Sequence, residues 1–296
     1  MNSRRTSFWK SPSFLASAGF LVFIAICAVV GPCLTGFSYE EIAGPQFSPP
    51  SPQFWLGTDI HGRDLLTRLL YGARISLVVG LMGAAVSLCI GVTYGLVAGY
   101  LGGRVDNAMM RFVDILYSLP RLVLVIVLIA ALEKPCRDFF STSFLQFLLP
   151  DARLFLLFVG LGLVEWLTMA RIIRGQVLVL KEQQFVHAAL ALGQSHRRIL
   201  FLHLLPNLAG IILVYLTLTI PVVILEESFL SFLGLGVQAP LSSWGSLIAN
   251  GAQFINPVKI YWWLLAFPAG IMALALLALN FIGDTLRDAF DPRAKK

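Results

Sequence analysis

Residues 75–103 contain no charged side chain, and shorter apolar runs of the same kind recur along the chain. At 1.5 Å per residue, a helix of 29 residues is about 43 Å long, more than the roughly 30 Å hydrocarbon core of a bilayer requires. Of the 296 residues, 57% are hydrophobic and 13% charged, about half the charged share of a soluble domain. Too little polar surface remains to cover one globular core of this size. The apolar surface is therefore expected to face lipid.

Six segments are predicted to cross: about 14–35, a stretch within 75–103, 113–132, 154–173, a stretch within 208–225, and 261–283. Backbone groups in lipid must be bonded internally, so each is read as a helix. The fold class is all-α and polytopic. Arg4, Arg5 and Lys10 precede the first run, as in a cleaved signal peptide. That run, however, holds 22 uncharged residues with no small-x-small site after it, and a retained helix is expected. Val30, Gly31 and Pro32 before Cys33 match a lipid-attachment site poorly. With the N-terminus inside, the cytoplasmic segments carry 14 Lys/Arg and the external ones 7, the bias that retains positive charge in the cytoplasm. An even number of spans puts both termini there. The chain divides into 1–74 (N-terminus, first helix and external segment), a transmembrane core 75–283 with a cytoplasmic loop 174–206, and a cytoplasmic tail 284–296.

Two stretches are less regular. Residues 139–150 are apolar but too short to cross, and suit an interfacial or loop helix. Residues 228–258 have no charge but contain four glycines and two prolines. That suits a partly buried external loop or a re-entrant segment. Gly91, Gly95 and Gly99 recur every four residues on one face of the second span, either as a packing face or as a pore lining.

Several chemistries are missing. Cys27, Cys33, Cys89 and Cys136 lack metal-site or disulfide spacing and read as small apolar fillers. No arginine-rich stripe with interleaved aromatics points to nucleic acid. There is no Gly-x-x-x-x-Gly-Lys-Ser/Thr, His-Glu-x-x-His or Gly-x-Ser-x-Gly pattern. No catalytic residue, cofactor site or metal site is expected, and no ATP site is expected in this chain. Ionisable residues within spans stand out because each costs roughly 2.5–3.5 kcal/mol at mid-helix. Glu165 is read either as structurally paired or as a solute or gating contact. Asp114 and Arg121, seven apart, are placed on one face of the third span. Glu226 and Glu227 are placed at the external end of the fifth. Glu165, Asp114 and Glu227 are the candidate pathway or gating residues.

The segment from Ala170 reads ARIIRGQVLVLKEQQFVHAALALGQSHRRILFLHLLPN. Val186, Ala189, Leu190 and Leu192 form a helical apolar stripe, Gly193 breaks it, and a second apolar helix is expected near Ile199. By pattern alone this is either an ordinary hairpin or a peg for a soluble partner. Ala188, Ala189, Gly193, Leu205 and Pro206 resemble, at matching spacing, the Glu-Ala-Ala loop of permease subunits of ATP-binding-cassette importers. His187 stands where that family usually has Glu, and His203 where Ile is common. The segments LGTDIHGRDLLTRLLYGARISLVVG from Leu56, VDILYSLP from Val113 and ILEESFLSFLGLGVQAPLSSWG from Ile224 resemble the dipeptide, oligopeptide and nickel branch. They are most similar to its second permease subunit.

The resemblance implies a type I importer permease of MetI-like fold in a bacterial inner membrane, with no enzymatic activity of its own. It implies a coupling helix seated on an ATPase. Ala188, Ala189 and Gly193 would give close fit, Glu182, His187 and Leu205 further contact, and Pro206 the start of the fifth span. The implied partners are a homologous second permease, two ATP-binding-cassette subunits, a periplasmic or extracellular solute-binding protein, peptide substrate and lipid. Di- or oligopeptides are the implied cargo; nickel, opines and glycosides share the branch. A secondary transporter is the alternative class, and inverted repeats that would mark it are not evident.

Overall fold

The computed structural model describes residues 11–142, 152–255 and 259–290. Arg4, Arg5 and Lys10, and the expected interfacial stretch from residue 143 on, lie outside the described residues. Nine helices are found among those described: α1 Pro12–Leu34, α2 Leu65–Leu101, α3 Gly103–Tyr117, α4 Arg121–Thr142, α5 Ala152–Leu180, α6 Gln184–Ala191, α7 His196–Phe232, α8 Trp244–Gln253 and α9 Trp263–Phe290. Helices α1, α2, α5, α7 and α9 are each long and apolar enough to cross a membrane; α3 and α4 meet the same measure only as a pair, bent by 91°, which makes either one broken span or a re-entrant loop.

That bend corrects the expectation of one continuous helix over 113–132. The Ser118 amide closes α3 on the Asp114 carbonyl at 3.0 Å, and the Ser118 hydroxyl donates to the Ile115 carbonyl at 2.7 Å. Pro120 then offers no amide and biases its predecessor away from the helical region. Asp114 and Arg121 consequently sit on two different helices, not on one face of one. The fifth span also differs. It begins at His196 rather than at Pro206, and runs through a π-helical turn, Ile199–Leu204. The Leu205 amide donates to the carbonyl of Leu200, five residues back. A widened turn at this point accommodates the ring and missing N–H of Pro206, so the helix passes it without ending.

Contacts divide the chain into two compact units, residues 1–81 with 221–285 and residues 82–220 with 286–296. The core of the first gathers Ile24 and Ala28 of α1, Leu69 and Ala73 of α2, Trp244 and Leu247 of α8 and Ala275 of α9. Trp244 is fully buried; its amide donates to Ser76 Oγ at 3.0 Å and its indole N–H to the Leu69 carbonyl at 3.3 Å. Gly72 lies under α8, where an added Cβ would stand 3.2 Å from the Ser243 backbone. Ser243 and Ser246 cap α8 reciprocally, so part of residues 228–258 is a short buried helix of ten residues, too short to cross.

The LGTDIHGRD segment folds on the carboxylate of Asp59. Asp59 accepts from the amides of His61 and Arg63 at 2.8 and 2.9 Å, from Arg63 Nε at 2.8 Å, and from the Arg68 guanidinium. Asp64 accepts from the Thr67 amide at 2.8 Å and caps the start of α2, replacing a bond the first helical turn lacks.

In the second unit, Gly91, Gly95 and Gly99 pack against Met169, Ile173 and Val177 of α5. A Cβ at position 95 would lie 2.5 Å from the Ala170 carbonyl oxygen. The glycine face is thus a site of close helix approach. Beside it, Val92, Leu96, Ile173 and Val177 join Val186 and Ala189 of α6 and Ile199, Leu204 and Leu208 of α7 in one buried cluster.

Candidate functional site

The 174–206 loop is built around two anchors and one turn. Helix α6 ends in a Schellman arrangement: the Gly193 amide donates to Leu190 at 2.9 Å and the Gln194 amide to Ala189 at 3.1 Å. That geometry needs a left-handed residue, and Gly193 sits at φ +70° with nothing within 4 Å of where a Cβ would be. Val186 and Ala189 turn inward and are buried. Glu182, His187, Ala188, Leu190 and Leu192 are exposed, Leu192 by 80%. Successive helical residues point about 100° apart, so Ala188 and Ala189 cannot share the outward face. Leu205 is half-buried and Pro206 exposed at the base of α7.

Both anchors escaped the sequence reading. His196 Nδ1 and the Tyr100 hydroxyl lie 2.7 Å apart, and their rings meet edge-on with centroids at 5.6 Å. His203 Nε2 and Gln194 Oε1 lie 2.7 Å apart. The histidines are seven apart, two turns along one helix, which was the available signal; the Tyr100 contact spans 96 residues and leaves no local trace. The peg therefore rests on a buried apolar base and is pinned at both ends of its turn.

A second constellation runs along α5. Arg174 grips Asp106 with two bonds of 2.7 Å, the fork geometry that suits a guanidinium and a carboxylate. Arg171 meets Asp114 at 2.7 Å, and Arg121 meets Glu165 at 3.0 Å. Tyr117 stands between the last two pairs. Its hydroxyl accepts from Arg121 at 2.9 Å and lies 3.3 Å from Thr168 Oγ1. The Arg171 and Arg121 guanidiniums lie 4.1 and 5.4 Å from its ring centroid. The structure brings Glu165 and Asp114 to this one strip.

Glu227 is elsewhere, in the first unit. It is fully buried, and its Oε1 accepts from Ser231 Oγ at 2.6 Å and Ser243 Oγ at 2.7 Å. Because Ser243 also caps α8, Glu227 ties α7 to the start of α8. Among the described residues no group of three His, Cys, Asp or Glu side chains is placed to hold a metal ion.

Residues 91–296 match the family described as binding-protein-dependent transport system inner membrane component. The chain is 44% identical over 289 residues to the oligopeptide transport system permease protein OppC of Haemophilus influenzae, covering 97% of this chain and 86% of that protein. It is 45% identical over 285 residues to the dipeptide transport system permease protein DppC of Bacillus subtilis, covering 95% and 83%. Among solved structures, an inward-facing form of the MetNI methionine ABC transporter matches with a TM-score of 0.55 at 20% identity, over 76% of this chain and 97% of that one. That likeness is one of fold.

Proposed function

Since the chain belongs to the binding-protein-dependent transport system inner membrane component family, and is a permease subunit of an ABC importer, we propose that it passes di- or oligopeptides across the inner membrane by alternating access. The cargo follows the printed functions of its relatives. A homologous second permease would complete the path, two ATP-binding-cassette subunits would supply work, and a solute-binding protein would deliver peptide from outside. Residues 75–283 would form the permease core, with both termini and the 174–206 loop in the cytoplasm.

One observation carries the mechanism: α6 exposes Leu190 and its C-cap Leu192, while Val186 and Ala189 root the helix among residues of α2, α5 and α7. A short helix with apolar knobs outward and a packed base is a lever. Displacement by a docked ATPase would shift packed helices together, because close-packed cores transmit strain and do not absorb it. His187 and Glu182, both exposed beside the knobs, would set the polar rim of that contact.

The test is reconstitution in proteoliposomes with the second permease, both ATPases and the binding protein. Peptide uptake should require ATP, the binding protein and this chain together. Uptake by this chain alone, driven by an ion gradient, would mark a secondary transporter and end the proposal.

A further inference from the structure

We propose that the surface carrying Asp114, Tyr117, Arg121, Thr168 and Arg171 lines the aqueous route of the cargo, and that its balanced ion pairs suit it to zwitterionic peptides and not to a cation. The inference rests on the permease reading above and assigns residues and ligand chemistry to it.

The part of α5 long and apolar enough to span is Arg153–Leu180, 28 residues, whereas the hydrocarbon core takes about 20. With the helix centred, roughly residues 157–176 lie in that core, and Glu165, Thr168 and Arg171 fall within it. Ionisable groups at such depth face protein or a water-filled cavity. Glu165 is covered, but the side chains of Arg121, Arg171 and Asp114 are 42%, 40% and 65% exposed. Acyl chains against those atoms would cost on the order of several kcal/mol per group. The face must therefore meet water or a polar partner.

Asp114 and Glu165 are negative, and Arg121 and Arg171 positive, so the strip is neutral overall. A route for cations is lined by an excess of carboxylates or carbonyls. A neutral strip of separated charges instead offers the ammonium end of a peptide one partner and its carboxylate end another. Tyr117 lets these pairs open without stranding an arginine, since its ring holds both guanidiniums by cation–π attraction. Each contact is weak enough to be exchanged, as conduction along a path requires.

The experiment uses the assembled transporter in proteoliposomes, with Cys27, Cys33, Cys89 and Cys136 of this chain replaced by serine. Ser118→Cys, nearly isosteric and exposed at the bend, and Thr168→Cys are labelled with cationic and anionic methanethiosulfonate reagents. Both reagents should react, at rates within about threefold of each other, and a transported tripeptide with binding protein and ATP should slow both. Glu165→Gln removes one negative charge and should shift the ratio toward the anionic reagent by about threefold or more. Reaction only with a membrane-partitioning maleimide, or with no reagent, would overturn the proposal by showing a lipid or dry protein contact. So would a cationic preference above about tenfold, or rates unchanged by peptide. Tripeptide uptake by the same vesicles separates the two readings. Intact uptake with unreactive cysteines removes only the assigned route, and no uptake in the cysteine-free parent removes the transport reading and the route with it.

Discussion

The guanidinium of Arg74 donates to the carbonyls of Ala28 and Val29, each at 3.3 Å, and Ala28 is four residues before Pro32. A helix interior pairs the carbonyl of one residue with the amide four ahead, and proline has none. Arg74 of α2 thus satisfies an acceptor of α1 that α1 cannot satisfy itself. Arg74→Ala should destabilise the detergent-solubilised protein by about 1 kcal/mol, the cost of losing a hydrogen bond to a part-buried carbonyl. Pro32→Ala restores the missing amide and should recover a good part of that loss in the double variant. Thermal unfolding of the four proteins, read as a double-mutant cycle, checks the coupling. Additive losses would show that Arg74 and Pro32 act independently.

The glycines of α2 and α5 separate contact from propensity. Gly95→Ala puts a Cβ against the Ala170 carbonyl and the Ile173 side chain, and backbone cannot yield as a flexible side chain can. A loss of about 1–3 kcal/mol is expected from overpacking, with reduced yield of folded protein. Gly175→Ala, with nothing within 4 Å, should be neutral or stabilising by up to about 1 kcal/mol. Unfolding in detergent distinguishes the two, and equal effects would rule out the close approach of α2 and α5.

How far the chain could be read in advance depended on the range of each signal. Uncharged runs marked the long helices, because burial in lipid is a property of the run itself. The Ala188 to Gly193 spacing located the turn, since a left-handed cap is a local demand. Pro120 was in view, yet apolar residues continue on both sides of it, and hydropathy does not register a 91° bend. A helix near Ile199 is a local signal too, but Pro206 looks like the start of a separate span, and only the π-turn reveals that one helix, α7, passes it. The pairs that make the strip join residues 44, 57 and 68 positions apart. No local period encodes them, so Asp114 and Glu165 were visible as anomalies but not as one constellation.

Asp59 gives a pH signature outside the spanning segments. Burial pushes its carboxyl up. The Arg63 amide, the Arg68 and Arg63 guanidiniums and the His61 amide outweigh that and hold it below its ordinary 3.8. A carboxyl depressed in the folded state adds stability that is complete above its unfolded value and fades as pH falls through the folded one. Asp59→Asn leaves two arginines without their partner and should cost about 3 kcal/mol near neutral pH. The gap between wild type and variant should narrow as pH drops below about 4, through loss of wild-type stability. A gap constant from pH 7 down to pH 3 would show that the ionised form of Asp59 is not what holds the loop.

Gly193 tests the peg through its backbone alone. At φ +70° with open space around it, a side chain there meets no neighbour within this chain, so the penalty for an uncharged side chain comes from the left-handed conformation. That conformation costs an ordinary L-residue roughly 1–2 kcal/mol, and Asn tolerates it best. Gly193→Asn should therefore keep the turn, and Gly193→Val should distort it and move Leu192 relative to Leu190. In the reconstituted transporter, Gly193→Val should lower peptide imported per ATP hydrolysed by about tenfold or more, the effect of misplacing a docking helix by an ångström or so. Gly193→Asn should stay within about threefold of wild type. Gly193→Asp adds a charge to the same surface and should uncouple as Val does, but through repulsion or desolvation at the contact. Raised ionic strength should therefore partly relieve the aspartate variant and leave the valine variant unchanged. If all three variants couple normally in fully assembled complexes, the Gly193 turn is not the element through which the ATPases act.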